Sequence, residues 1–338
     1  MITSVTIDAP CKINLYLRVG ERRADGLHSI ESLFAALSLC DTIDFEFGMG
    51  KAGNDEVYVE TGDLPPSLRR PLEGDCLPPE KNLVYRAIKL FKHETGFDRA
   101  VRARIYKRIP PAAGLGGGSS DAAAALLAMT ILSGAELSTE RLRHIAANLG
   151  SDVPFFAGLA GGAFGRESGG KRFAAVVGGC GELTEYVDVP PLNIVVVNPG
   201  IESGTKEAFA LLDAYRLRAG PGAPGKIPPQ KMYSKKDLLD ELAKNPVEWS
   251  FTNDFLPVFL EAEPVSRVYR SVLRNLKRHG ALFSGLSGSG ASCFGVFGSP
   301  HDAGCAAARL AALYPFSRTA SPACATVHTG RTEIPRKQ

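Results

Sequence analysis

No run of Ile, Leu and Val in this chain is longer than Ile194–Val197. A membrane helix needs about 20 mostly apolar residues, so no span and no membrane partner are expected. The seven cysteines contain no Cys-x-x-Cys pair and no Cys/His zinc spacing. Scattered, odd-numbered thiols in a chain of 338 residues point to a reducing, cytoplasmic setting, not to a disulfide framework. The first residues lack a basic stretch leading into an apolar one, so no secretory leader is read. Charge of one sign is missing too: the net charge is +3. Nucleic-acid-binding domains are usually strongly basic, and none is expected here. Glycine (36) and proline (23) stay below the roughly 25–30% of a low-complexity chain.

What remains is a globular sequence long enough for two domains. Strand-like alternation opens it, with Ile13, Leu15, Leu17 and Val19 on one face and Lys12, Asn14, Tyr16 and Arg18 on the other. Asn82 can cap a helix that Gly96 ends. Residues 48–80 read as a loop-rich excursion with one short strand at Val57–Val59. Basic residues alternate from Arg99 to Arg108, as on a solvated strand face or an anion-binding rim. Later come a strand to Asn198, a helix over Thr205–Tyr215, a Pro/Gly-rich loop from Ala219, a helix from Val265, and a strand at Cys293–Phe297. Strands alternate with helices, but some follow one another directly, so the class is α+β.

The strongest motif is Pro110-Pro111-Ala112-Ala113-Gly114-Leu115-Gly116-Gly117-Gly118-Ser119-Ser120, which runs into an alanine-rich helix. Glycines permit left-handed backbone and close approach to a ligand. A serine at the boundary can serve as N-cap. The helix behind offers free N–H groups to an anion. A P-loop is excluded here, and the stretch Gly165–Lys171 has P-loop spacing but Arg172 where Ser or Thr is needed. Gly114-x-Gly116-x-x-Ser119 lacks the third glycine of a dinucleotide fingerprint. Asp152, in Gly-Ser-Asp-Val-Pro, reads either as a helix N-cap or as a site carboxylate. Lys12 on its own would be a solvated strand lysine.

Three segments carry a resemblance in order and spacing: Ala9–Leu15 (APCKINL), Pro111–Ala123 (PAAGLGGGSSDAA) and Leu286–Ser292 (LSGSGAS). Together they resemble the three motifs of the GHMP kinases over nearly the whole chain. Arg23–His28 (RADGLH), Gly150–Phe156 (GSDVPFF) and Phe251–Asp254 (FTND) are similar to the branch whose acceptor is 4-diphosphocytidyl-2-C-methyl-D-erythritol. The resemblance implies a ribosomal S5 domain 2-like N-terminal domain (1–163) and a ferredoxin-like C-terminal domain (164–338). It implies ATP as phosphoryl donor, Mg2+ with the nucleotide, and phosphorylation of the acceptor's 2-hydroxyl in non-mevalonate isoprenoid synthesis. Lys12 and Asp152 would be catalytic. ATP would lie on Pro110 to Ser120, with Asn82 and Lys107. Asn14, Leu27, His28, Asp152 and Phe209 would meet the acceptor, with His28 bonded to the cytosine. Gly288, Ser289 and Gly290 would support the phosphate loop. Leu27 stands where the family often has an aromatic residue.

Overall fold

The computed structural model describes residues 2–51, 54–69, 79–164, 173–219 and 233–331. Two long antiparallel strands, β1 (Ile2–Arg22) and β2 (His28–Lys51), form its spine. β3 (Glu56–Glu60) and the single turn α1 (Pro66–Arg69) occupy the expected loop region. α2 (Leu83–Thr95) starts where Asn82 accepts from the Val84 N–H and stops at left-handed Gly96. β4 (Arg99–Tyr106) precedes the glycine loop; α3 (Gly117–Ser133), α4 (Thr139–Ala147) and α5 (Val153–Phe164) follow it. β5 (Ala174–Gly178) pairs back onto β2, and β6 (Leu183–Val187) pairs with β5.

The second half contains β7 (Asn193–Asn198), α6 (Thr205–Ala219), α7 (Lys235–Leu242), α8 (Phe255–Glu261) and α9 (Val265–Arg278). β8 (Phe283–Leu286), β9 (Cys293–Phe297), α10 (Pro300–Ala311) and β10 (Phe316–Ala320) complete it, and β11 (Thr326–Arg331) returns to pair with β1. The sheet order β10-β7-β9-β8, antiparallel throughout, is that of a ferredoxin-like β-α-β-β-α-β unit. The expected cut at 163/164 meets a first sheet that takes β5, β6 and β11 from beyond it.

Three differences from the sequence reading have physical causes. The alternation along β1 does not persist, because the register skips a residue between Asn14 and Tyr16. Such a bulge re-aims the side chains on either side of it. Tyr16 therefore joins Ile13 and Leu15 in one buried cluster, while Leu17 and Val19 enter another. The Arg99–Arg108 face is no anion rim, since Arg102 pairs with Glu46 and Glu56, Arg104 with Glu60, and Arg108 with Asp63. α6 runs on to Ala219, four residues past the expected end at Tyr215, because Arg216 to Arg218 continue the helix without a breaker.

α3 is apolar all round, which fits a helix packed on every side. Ala122 to Met129 are all buried, between the first sheet and its neighbouring helices α2 and α5. Its N-terminus is thereby held at one fixed place.

Candidate active site

The glycine loop is stitched to two distant segments by its own carbonyls. Leu115 O accepts from the Lys12 N–H at 2.8 Å and Ala113 O from the Ser292 N–H at 3.1 Å. Gly114 O accepts from Ser287 Oγ at 2.8 Å. The turn at Gly288 to Gly290 is braced in turn by Asn253, whose Nδ2 donates to the carbonyls of Leu286 and Gly288, each at 2.9 Å. Ser289 faces α6: its carbonyl accepts from Ser203 Oγ, and its hydroxyl lies 3.2 Å from Thr205 Oγ1.

Two glycines of the loop are required by conformation. Gly114 has φ +72° and Gly116 has φ +68°. A Cβ on Gly114 would stand 2.1 Å from the Ser287 carbonyl oxygen, which cannot retreat without opening the stitched turn. Gly114→Ala is therefore expected to lower Tm and ATP affinity together; a calorimetric ATP affinity equal to wild type would show that the turn tolerates a side chain. Gly117 is limited differently: its φ is ordinary, and a Cβ there would meet the Ile109 side chain at 2.9 Å. The expected serine N-cap is not used. Gly116 is the N-cap of α3, with no side-chain cap hydrogen bond, and Ser119 and Ser120 lie within the helix. The leading N–H groups of α3 are thus left without a capping side chain, at the positive end of the helix dipole.

Lys12 and Asp152 meet beside that N-terminus. Lys12 Nζ is 3.5 Å from Asp152 Oδ2, with side chains 5% and 26% exposed, so the lysine is enclosed and the carboxylate is partly open to solvent. Lys12 Nζ also donates to Asn14 Oδ1 at 2.6 Å and sits 4.5 Å from the centre of the Phe34 ring. Asn14 Nδ2 donates to Ser32 Oγ at 2.9 Å, and Ser32 Oγ donates to the Tyr16 carbonyl. That chain turns the Asn14 amide oxygen toward the lysine. Asp152 immediately precedes α5, and a Cβ on Gly116 would touch both the Lys12 stem (3.0 Å) and Phe156 of α5 (3.1 Å). The start of α3, the start of α5 and Lys12 of β1 therefore form one corner.

Asn82 uses its side-chain oxygen to cap α2, and its neighbour Leu83 lies against Gly118, so this residue borders the loop. Lys107 is turned inward, away from solvent. It is 5% exposed and bound behind α3, where Nζ contacts Asp41 Oδ2 and, at 2.8 Å, Asp121 Oδ2. The other Asp41 oxygen accepts from the N–H groups of Arg108 and Ile109, at 2.6 and 2.9 Å, fixing the chain as it enters the loop. Asp41 and Asp121 were not evident in the sequence as partners; a lone aspartate inside an apolar strand was the available signal.

Burial, opposed by Lys107 and reinforced by Asp41, pushes the Asp121 carboxyl up from 3.8 to about 7. An unfolded aspartate has already lost its proton across that interval while the folded one keeps it. Stability therefore falls as pH rises from 3.8 toward about 7, by at most about 1.4 kcal/mol per pH unit. Asp121→Asn cannot ionise. Its Tm measured relative to wild type is expected to climb from pH 4 to 7 and then level; a constant difference would mean that Asp121 is charged throughout.

The rings of His28 and Phe209 are stacked, with centroids 5.1 Å apart. Leu27 is 55% exposed. The stretch Gly165–Lys171 lies outside the described residues. A separate cleft of about 610 Å³, lined by Asp8, Cys40, Arg108 and Arg318 among others, contains neither Lys12 nor Asp152.

Residues 82–162 match the family model for the GHMP kinases N terminal domain, and 237–315 that for the GHMP kinases C terminal domain. A 4-diphosphocytidyl-2-C-methyl-D-erythritol kinase of Treponema pallidum is 36% identical over 300 residues, covering 87% of this chain and 90% of that protein. The corresponding kinase of Chlorobaculum tepidum is 32% identical over 93% of this chain and 96% of its own. The chain belongs to the 4-diphosphocytidyl-2-C-methyl-D-erythritol kinase family. A crystal structure of a 4-(cytidine 5'-diphospho)-2C-methyl-D-erythritol kinase superposes with TM-score 0.70 at 29% identity, over 94% of this chain and 98% of the other. A homoserine kinase from Cytophaga hutchinsonii, 17% identical with TM-score 0.56, shares the fold alone. Within this kinase family, as in the GHMP kinases generally, ATP is the phosphoryl donor. Among the described residues no helix is long and apolar enough to cross a membrane.

Proposed function

We propose that the chain transfers the γ-phosphoryl group of ATP to the 2-hydroxyl of 4-diphosphocytidyl-2-C-methyl-D-erythritol, a step of non-mevalonate isoprenoid synthesis. The observation that carries this reading is the Lys12–Asp152 pair, 3.5 Å apart, set against the uncapped N-terminus of α3. Phosphates rest on the free N–H groups of α3 and on the Pro110–Ser120 loop, with Asn82 at its border. Asp152 receives the proton of the attacking hydroxyl. A carboxylate is a weak base for an alcohol, but phosphoryl transfer asks more for placement than for basicity. Lys12 keeps positive charge beside both the carboxylate and the oxygen that attacks, in a corner largely shielded from water. Asn14 holds the lysine in that place.

Mg2+ arrives with the nucleotide. Magnesium keeps much of its water and takes one or two carboxylates plus substrate phosphates. The donor set fits that pattern: among the described residues no group of three His, Cys, Asp or Glu stands together, and Asp152 is the open carboxylate of this corner. The setting we propose is the cytoplasm, since all six described cysteines carry free thiols.

The test is incubation of the pure protein with MgATP and the cytidylyl methylerythritol, followed by phosphorus NMR. A new phosphomonoester on the 2-position is expected. Phosphorylation of homoserine or mevalonate instead, with none of the cytidylyl substrate, would overturn the reading.

A further inference from the structure

The side chains expected to hold the cytosine rest on one that the sequence did not single out. His28 is buried at the start of β2, and both of its ring nitrogens are engaged inside the protein. Nδ1 lies 3.0 Å from the Gly20 carbonyl oxygen, and Nε2 lies 3.3 Å from Asp213 Oδ2. Both ring nitrogens thus face oxygens inside the protein, and the polar edge of the imidazole is turned away from a base. Phe209 covers the ring face at an interplanar angle of 23°. Phe209 and Asp213 stand one turn apart on α6, on the same side of the helix. Arg216 follows on that side and donates to the Gly20 carbonyl at 2.9 Å, to the Val19 carbonyl at 2.5 Å and to Asp254 at 3.2 Å. Three side chains of α6 thus grip the end of the β1–β2 hairpin. Arg216 has several partners in that grip. Among the described residues Asp213 has His28 alone.

We propose that Asp213 is the positioning residue of the base pocket: it fixes the His28 imidazole against Gly20 and Phe209, so that the base meets the main chain at Leu27–His28 and the aromatic faces. This rests on the reading of the acceptor given above and refines it. The imidazole edge expected to bond the cytosine is already spent on Gly20 and Asp213. The consequence is a division of labour. α6 belongs to the second half of the chain and the hairpin to the first, so the carboxylate sets the base-reading segment from across the junction. Losing it frees the ring to rotate and loosens that segment, while Lys12 and Asp152 keep their corner.

Steady-state kinetics on the full chain test the assignment. Asp213→Ala is expected to raise the KM for the cytidylyl substrate roughly tenfold, the worth of one hydrogen bond to a charged group, with kcat and the KM for ATP unchanged. Asp213→Asn keeps an amide oxygen able to accept from Nε2 and is expected to restore KM to within about threefold. A structural loss would not split KM from kcat, nor be rescued by the isostere. Should alanine fail to fold, Asp213→Ser, too short to reach Nε2, carries the same expectation. Phe209→Ala separates this proposal from the pocket itself. Wild-type KM in Asp213→Ala with a raised KM in Phe209→Ala overturns the role of Asp213 alone. Wild-type KM in both overturns the pocket and the role together. An equal rise in Asp213→Ala and Asp213→Asn also overturns the role, because charge and not placement would then be at work.

Discussion

Asp152→Asn is expected to lower kcat by about 10²–10⁴-fold, the usual contribution of a placed general base. The KM for ATP should change little, because the amide is nearly the size of the carboxylate and no part of the glycine loop bonds to Asp152. The variant should also fold normally. Asp152 is 26% exposed, its ion-pair partner Lys12 keeps the hydrogen bond to Asn14, and α5 begins with residues buried independently of it. Single-turnover measurement at saturating ATP distinguishes loss of chemistry from slow product release. A rate within tenfold of wild type would return Asp152 to helix capping, and the proton acceptor would have to be sought elsewhere.

Lys107→Met is expected to cost about 3–5 kcal/mol of stability, the penalty for leaving buried charge uncompensated. Asp41 and Asp121 are 0% and 5% exposed as side chains, and Lys107 is the cation between them. Burial opposes a charged lysine here, but attraction to Asp121 and Asp41 outweighs it and raises the Lys107 pKa. The loss should be larger at pH 8 than at pH 6, where Asp121 still carries its proton. Urea titration gives the stability, and nucleotide titration at low urea gives the ATP affinity of the folded fraction. That affinity is expected to be unchanged. Retained stability with weakened ATP binding would place Lys107 at the nucleotide and refute its role as a buried brace.

The chemistry-bearing motifs were legible because each depends on residue type over a short stretch. Gly114 and Gly116 are needed for local backbone shape, and Asn82 and Gly96 terminate a helix through their own turns. The same locality hid the rest. Lys107 looked like a site lysine, since nothing near it in sequence shows that Asp41 waits 66 residues upstream. Strand alternation gave the faces of β1 correctly only as far as the bulge, because a one-residue skip is invisible in a pattern of period two. Leu27 and Asp213 illustrate opposite outcomes: one stood at a motif position and faces solvent, the other stood in an ordinary helix and reaches the ring of His28. Pairings of that kind are set by how α6 docks on the hairpin, and docking is a property of the assembled fold.

The stitched loop also dictates when the enzyme can come alive during synthesis. Gly114 and its neighbours take their hydrogen-bond partners from Ser287 and Ser292, some 173 positions later for the Ser287 contact. A nascent chain that has already made the glycine loop, Lys12 and Asp152 still lacks the turn that holds the loop in shape. Closing such distant contacts is slow and comes late. An interrupted translation product ending before residue 287 would therefore carry every catalytic side chain and yet present ATP with an unshaped cradle, so that fragments released from a stalled ribosome should not drain the nucleotide pool.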